Sequence, residues 1–222
     1  MYTPPSFKQD RAASVAFAEA RGFGMVCAWN GARPIASLLP FYLNEAGDGS
    51  VQALFHVARQ NPLVALAGGK HGWLLAVNGP DAYVSPDWYV SRDQVPTWLY
   101  QSVHLTGSVR LLSDDELAVQ IGTLSAKFEK RLLPKRPWTT AKMTTARLET
   151  MKKAIVGLVM TIEEIEGSFK LNQHKSESDY AALAGALDER TDTGSRQIAD
   201  LMRKARPQVF AEEATKLERN TP

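Results

Sequence analysis

The sequence holds one cysteine, four histidines and almost no excess of charge, and each shortage narrows what the chain can do. Cys27 has no second thiol to pair with. In the apolar run GMVCAW it reads as a small buried hydrophobe with no residue nearby to activate it as a nucleophile. His56, His71, His104 and His174 are scattered, with no i, i+4 pair and no cysteine pair, so no metal centre is expected. A formal net charge of +2 over 222 residues sets up no global field toward nucleic acid or membrane, and contact with DNA would need a local basic patch. No run approaches the roughly 20 apolar residues of a membrane span. The start, MYTPPSFKQDRAAS, lacks the basic-then-apolar order of a signal peptide. A cytoplasmic protein with no membrane partner is the expectation. The G-x-S-x-G elbow, the G-x-G-x-x-G turn and the Walker A loop are also missing, which leaves no common nucleophile or nucleotide fingerprint.

What is present is the balance of an ordinary globular protein, 44% apolar and 23% charged. The alanine-rich stretch 9–21 predicts a helix stopped by Gly22. GMVCAW and ARPIASLLPFYL flank Asn30-Gly31 and predict a hairpin with a type I′ turn. VQALFHV and GWLLAV predict strands, PLVALAG a short helix opened by Asn61-Pro62, and the alternation from Trp98 to Leu112 a long strand. Ser113-Asp114-Asp115-Glu116 has the form of a capping box and predicts a helix to Lys130, broken by LPKRPW. Helix 144–153, the strand GLVMTIEEIEG and two short helices at 176–187 and 195–204 complete the pattern, followed by a polar tail after Pro207. About six or seven strands with interspersed helices suggest an α+β fold on a small antiparallel barrel. One domain over 1–175, with a helical C-terminal appendage and tail over 176–222, is the organisation expected.

Three stretches carry hydrogen-bonding chemistry. In FHVARQNPLVAL, Arg59, Gln60 and Asn61 stand between a strand and a helix start. They could gather an anion, with Arg59 as a forked donor, or Asn61 could simply cap the helix with Arg59 in water. In GPDAYVSPDWY and the following VPTWLY, the faces of Trp88, Tyr89, Trp98 and Tyr100 suit a planar cofactor, an oligomer interface or core packing. In IEGSFKLNQHKSESD, Lys170, Asn172, Gln173, His174 and Lys175 form either a solvated strand end or a second set of donors for an anionic ligand.

MYTPPSF, HVARQNP, GPDAYVSPDWY, VPTW-Y--VH--G and IEGSFKLNQHKSESD stand in one order over about 180 residues. Together they resemble the PaiB-type FMN-binding negative transcriptional regulators. The resemblance implies an FMN-binding split β-barrel related to the pyridoxamine phosphate oxidase-like proteins, with FMN as cofactor and a homodimer as the assembly. It implies His56, Arg59 and Asn61 at the flavin phosphate, Ser85 and Trp88 at the flavin wall, and Lys170 and Gln173 completing the site. It also implies a negative regulator of transcription, acting directly on DNA or through a regulatory partner protein. An FMN-dependent oxidoreductase and a dimer that has lost its flavin are the alternatives, and no catalytic residue stands out. The chain departs from the family pattern at Leu38, Leu99 and Thr106, where the family often has His, Asn and His.

Overall fold

The computed structural model describes residues 1–45 and 49–211. Strand β1 (Lys8–Gln9) precedes helix α1 (Arg11–Arg21), which ends at Gly22 with φ +60, a conformation natural to glycine. Strands β2 (Phe23–Trp29) and β3 (Pro34–Pro40) form the expected hairpin, but not through the expected turn. Trp29 pairs with Pro34, so the loop spans residues 30–33, and within it only Gly31 has a positive φ. Asn30 instead accepts the amides of Ala32 and Arg33 on Oδ1, at 3.0 and 2.8 Å. A side-chain turn of this kind replaces the backbone turn that Asn-Gly alone would favour.

Strand β4 (Tyr42–Glu45) pairs with β5 (Val51–Ala58). The segment after β5 is a 3-10 turn, Pro62–Leu66, rather than an α-helix, because Ala67 is already extended and Gly68 turns at φ +78. Strands β6 (Trp73–Val84) and β7 (Thr97–Leu111) follow, separated by a 3-10 turn at Pro86–Trp88. Helix α2 (Asp114–Lys130) opens on a complete capping box between Ser113 and Glu116. Helix α3 (Thr145–Lys153), strand β8 (Ile155–Lys170), helices α4 (Glu177–Asp188) and α5 (Thr193–Ala205) and a 3-10 turn at Pro207–Phe210 complete the described chain. The sheet order is β3-β2-β6-β7-β8-β5-β4, with β1 on β8, and β3 also packs against β5. This is the mixed α+β split barrel that the sequence indicates.

The chain divides into two compact units. The barrel unit holds Arg11–Val77 and Val103–Ile165. Its strands alternate, so that Val26, Ala53, Phe55, Leu75, Leu105 and Leu158 are wholly or almost wholly buried. Each of these Val, Leu and Phe side chains contributes roughly 1.5–3 kcal/mol on leaving water. Gly107 permits the closest backbone approach in this unit, since a Cβ there would lie 1.9 Å from the carbonyl oxygen of Thr161.

The helical unit holds Met1–Asp10, Asn78–Ser102 and Glu166–Pro222, so the helices after residue 176 group with segments from three parts of the sequence. Its core is Val84, Tyr89, Leu99, Tyr180, Leu183, Leu187, Ile198, Met202 and Phe210 with smaller neighbours. The Tyr180 hydroxyl donates to the carbonyl of Met202 at 2.9 Å, and burial pushes its pKa up to about 12. Of the polar tail expected after Pro207, residues 212–222 lie outside the described residues, while Phe210 is buried in the helical core.

Candidate functional site

In the barrel unit, alternation along β5 sends Phe55 and Val57 into the core and His56 to the opposite face. There its Nδ1–H donates to Oε1 of Gln120 at 3.2 Å. Burial lowers the pKa of His56, with the Gln120 bond acting against it, so the ring is neutral near pH 7. Gln120 is wholly buried and its Nε2 finds no partner among the described residues. Sequence reasoning missed Gln120, although a signal existed. It sits between Leu117 and Leu124 on the buried stripe of α2, where a polar residue needs a reason.

Arg59 follows β5 and turns back onto the junction of α3 and β8. Its Nε donates to the carbonyl of Lys153 at 2.7 Å, its Nη2 to that of Ile155 at 3.0 Å, and its backbone amide to Ala154 at 2.9 Å. A cation at the end of α3 also meets the negative pole of that helix. The remaining guanidinium hydrogens stay available to a ligand.

Asn61 has both ends of its amide engaged. Oδ1 accepts the amide of Leu63 at 3.0 Å, and Nδ2 donates to Oγ of Ser37 on β3 at 3.0 Å. Pro62 has no N–H, and the amide of Val64 is bonded to the Asn61 carbonyl. The 3-10 turn therefore keeps no amide of its first residues for an anion, and Asn61 acts as its cap.

The same turn packs on β2 and β3. Their outer face is a row of apolar residues in register: Phe23 opposite Pro40, Met25 opposite Leu38, Cys27 opposite Ala36 and Trp29 opposite Pro34. Leu38, a departure from the family pattern, is 61% exposed, and Trp29 is 46% exposed. The Cys27 thiol is half-buried in this row rather than fully enclosed, and burial raises its pKa.

In the helical unit, Ser85 caps the Pro86–Trp88 turn, accepting the amide of Asp87 at 3.3 Å. Trp88 is half-buried against the helical core. It also lines a cavity of about 520 Å³ with Tyr83, Trp98, Arg190 and Asp192. Tyr83 and Trp98 meet edge to face at 6.0 Å. Leu99, where the family often has Asn, is fully buried in the helical core.

Gln173 closes the loop after β8, its Oε1 accepting the amide of Leu171 at 2.9 Å and its Nε2 donating to the carbonyl of Phe169 at 2.6 Å. This pins the chain through Asn172, which stands at φ +58. Lys170 has a different setting: its Nζ donates to Oγ1 of Thr97 at 2.6 Å and faces a second cavity. The structure thus joins Asn61 to Ser37 in the barrel unit, while Arg59 turns to the carbonyls of Lys153 and Ile155 and His56 to Gln120. In the helical unit, Ser85 and Gln173 serve local turns, while Trp88 and Lys170 border cavities.

Comparison with known proteins agrees with this architecture. Residues 1–164 match the family described as "Putative FMN-binding domain". Protease synthase and sporulation protein PAI 2 of Bacillus subtilis is 34% identical over 203 residues, which cover 91% of this chain and 96% of that protein. Among solved structures, the flavocytochrome Anf3 of Azotobacter vinelandii superposes with a TM-score of 0.54 at 18% identity, covering 79% of this chain and 75% of its own. The FAD and heme binding protein of Mycobacterium smegmatis gives 0.53 at 20% identity, with 78% of each chain covered. These two likenesses speak for the fold. With the family match over the barrel and the relative spanning nearly the whole length, the chain belongs to the PaiB-type family of FMN-binding split-barrel proteins.

Proposed function

We propose that the chain binds FMN on the barrel unit, pairs with a second copy of itself, and lowers transcription of target genes through a partner or a small-molecule signal. The observation that carries the flavin reading is the Asn61–Ser37 hydrogen bond. It fastens HVARQNP to β3 through the face opposite the apolar row. An isoalloxazine ring needs a flat apolar support, which the row of Phe23, Met25 and Leu38 supplies. A phosphate needs a forked cation, which the unspent hydrogens of Arg59 supply, with His56 neutral nearby in sequence and Asn61 holding the loop. Bound FMN would bring the redox capacity of its ring, while the protein positions it.

The same exposed row supports the homodimer, because a contiguous apolar face on a sheet is costly to leave in water. For regulation, the family relationship and the sporulation protein of B. subtilis favour a regulatory role. The basic helix α5 does not favour direct reading of DNA. It buries Ile198, Ala199 and Met202, and its cations are partly engaged: Arg203 pairs with Asp188, and Arg196 donates to the carbonyl of Arg190.

The flavin reading is tested by titrating the purified protein with FMN and with riboflavin, following flavin absorbance. Arg59→Ala should weaken FMN by about 10- to 150-fold, the value of a lost charge-assisted contact. Riboflavin, which has no phosphate, should bind that variant as it binds the wild type. Folded wild-type protein that ignores FMN would sink the reading. Light scattering at micromolar concentration should give a dimer that Leu38→Lys breaks, and a monomeric wild type would contradict the pairing. Transcript levels that stay the same when the gene is deleted would overturn the regulatory role.

A further inference from the structure

A second cavity of the helical unit, about 360 Å³ in volume, has a chemistry of its own. Its polar lining includes Lys170, Lys175, Tyr89, Asn172 and His174, with Phe7 and Val95 as apolar wall. Among the described residues both lysines donate to neutral acceptors: Lys170 to Thr97 Oγ1 and Lys175 to Gln94 Oε1, each at 2.6 Å. Lys175 also lies over the Tyr89 ring, 5.1 Å from its centre. No carboxylate lines the cavity among the described residues. Burial raises the pKa of Tyr89, and Asp179 is close enough to add to that rise. The Asp179 carboxylate is, however, turned to the amides of Val90 and Ser91, both at 2.9 Å, and to the Ser91 hydroxyl at 2.7 Å.

Tyr89 is only 9% exposed, and its hydroxyl oxygen accepts Nδ2 of Asn172 at 2.7 Å. Its own O–H therefore still has a hydrogen to give, and no acceptor takes it among the described residues. A buried hydroxyl left with an unspent hydrogen is costly unless a ligand or water receives it. The imidazole of His174 packs edge-on against Phe7 at 5.5 Å. Its pKa is lowered first by burial and then by Lys175 and Lys170, in keeping with an excess of positive charge.

We propose that this cavity is an anion site for a compact dianion of the phosphate-monoester class. Lys170, Lys175 and the Tyr89 hydroxyl donate to its oxygens, and Phe7 and Val95 cover an apolar body. Two ammonium groups match the two charges of such a group, and the phenol adds directed donation. The dianion can arrive as a free small molecule or as the phosphate of a larger one such as FMN. The assignment stands on the helical unit alone and does not rest on the flavin reading of the barrel.

The test is calorimetric titration of the whole chain with inorganic phosphate at constant ionic strength, with chloride as the balancing salt. One site per chain is expected. Tyr89→Phe should weaken it by about 3- to 10-fold, and Lys170→Met/Lys175→Met by about 100-fold or more. NMR titration of His174 gives an independent readout: its pKa should rise when phosphate binds, because the added negative charge offsets the two lysines. Equal phosphate binding by the wild type and the double lysine variant would overturn the proposal, and so would a His174 pKa that phosphate leaves unmoved. FMN and riboflavin titrations of the same double variant identify the source. Unchanged FMN affinity marks the dianion as a separate small molecule, and loss of FMN with riboflavin retained marks it as the flavin phosphate. Failure of the flavin reading would appear in Arg59→Ala and leave phosphate binding by Lys170 and Lys175 intact.

Discussion

The Arg59 loop of the barrel unit and the Lys170–Lys175 loop of the helical unit both carry cations, yet they use them in opposite ways. Arg59 gives two of its donors and its backbone amide to one short stretch, residues 153–155, and so joins β5 to the start of β8. Lys170 and Lys175 each donate to a neutral side chain beside a cavity, and Lys175 also lies over the Tyr89 ring. The helical unit is braced elsewhere, by the Asp179 carboxylate that gathers the Val90–Ser91 loop. What a basic residue in a motif can do for a ligand depends on what its own chain has already asked of it.

Four substitutions or conditions sharpen that contrast. Asp179→Ala should have the largest effect, destabilising the protein by about 3 kcal/mol as the part-buried amides of Val90 and Ser91 lose a charged acceptor. Thermal or urea unfolding measures it, and a loss below about 0.5 kcal/mol would show that the latch is decorative. Arg59→Ala comes next, at about 1.5–3 kcal/mol for hydrogen bonds to a charged donor, with exposure of the residue favouring the lower end. It should also be the variant in which FMN affinity and stability fall together.

Acid is the third probe. The amide and hydroxyl of Ser91 hold the Asp179 carboxyl below the usual aspartate range, with Ser176 and Val90 adding to the effect. Its stabilisation is therefore complete above the unfolded pKa of about 4 and is lost as pH falls through the lower folded value. Unfolding free energy measured downward from pH 5 should decline more in the wild type than in Asp179→Ala, which has no such proton to gain. Parallel pH profiles would contradict the assignment. The smallest effect belongs to Lys170→Met, which should change stability by less than about 0.5 kcal/mol because its one side-chain partner among the described residues is a hydroxyl. A large destabilisation there would mean that the two loops are alike after all.

Much of the scaffold was legible because its signals are local. The alternation of VQALFHVA, the Ser113–Glu116 capping box and the serine before α4 each act within a few residues. The hairpin turn was misread for an equally local reason, because Asn30 spends its side chain on the loop amides. The short helix at Pro62 is present, as a 3-10 helix followed by Gly68. The bonding partners of the candidate residues were not legible. The acceptors of Arg59 lie 94 and 96 residues away, and that of Lys170 lies 73 residues away. Leu99 shows the converse. A departure from the family motif, it is a fully buried part of the helical core.

The central claim, that FMN is held on the barrel unit with its phosphate on Arg59, is tested most directly by paired titrations of FMN and riboflavin against wild type and Arg59→Ala. The account predicts saturable FMN binding to the wild type, about 10- to 150-fold weaker in the variant, with riboflavin affinity the same in both. Equal FMN affinity in the two folded proteins would contradict it.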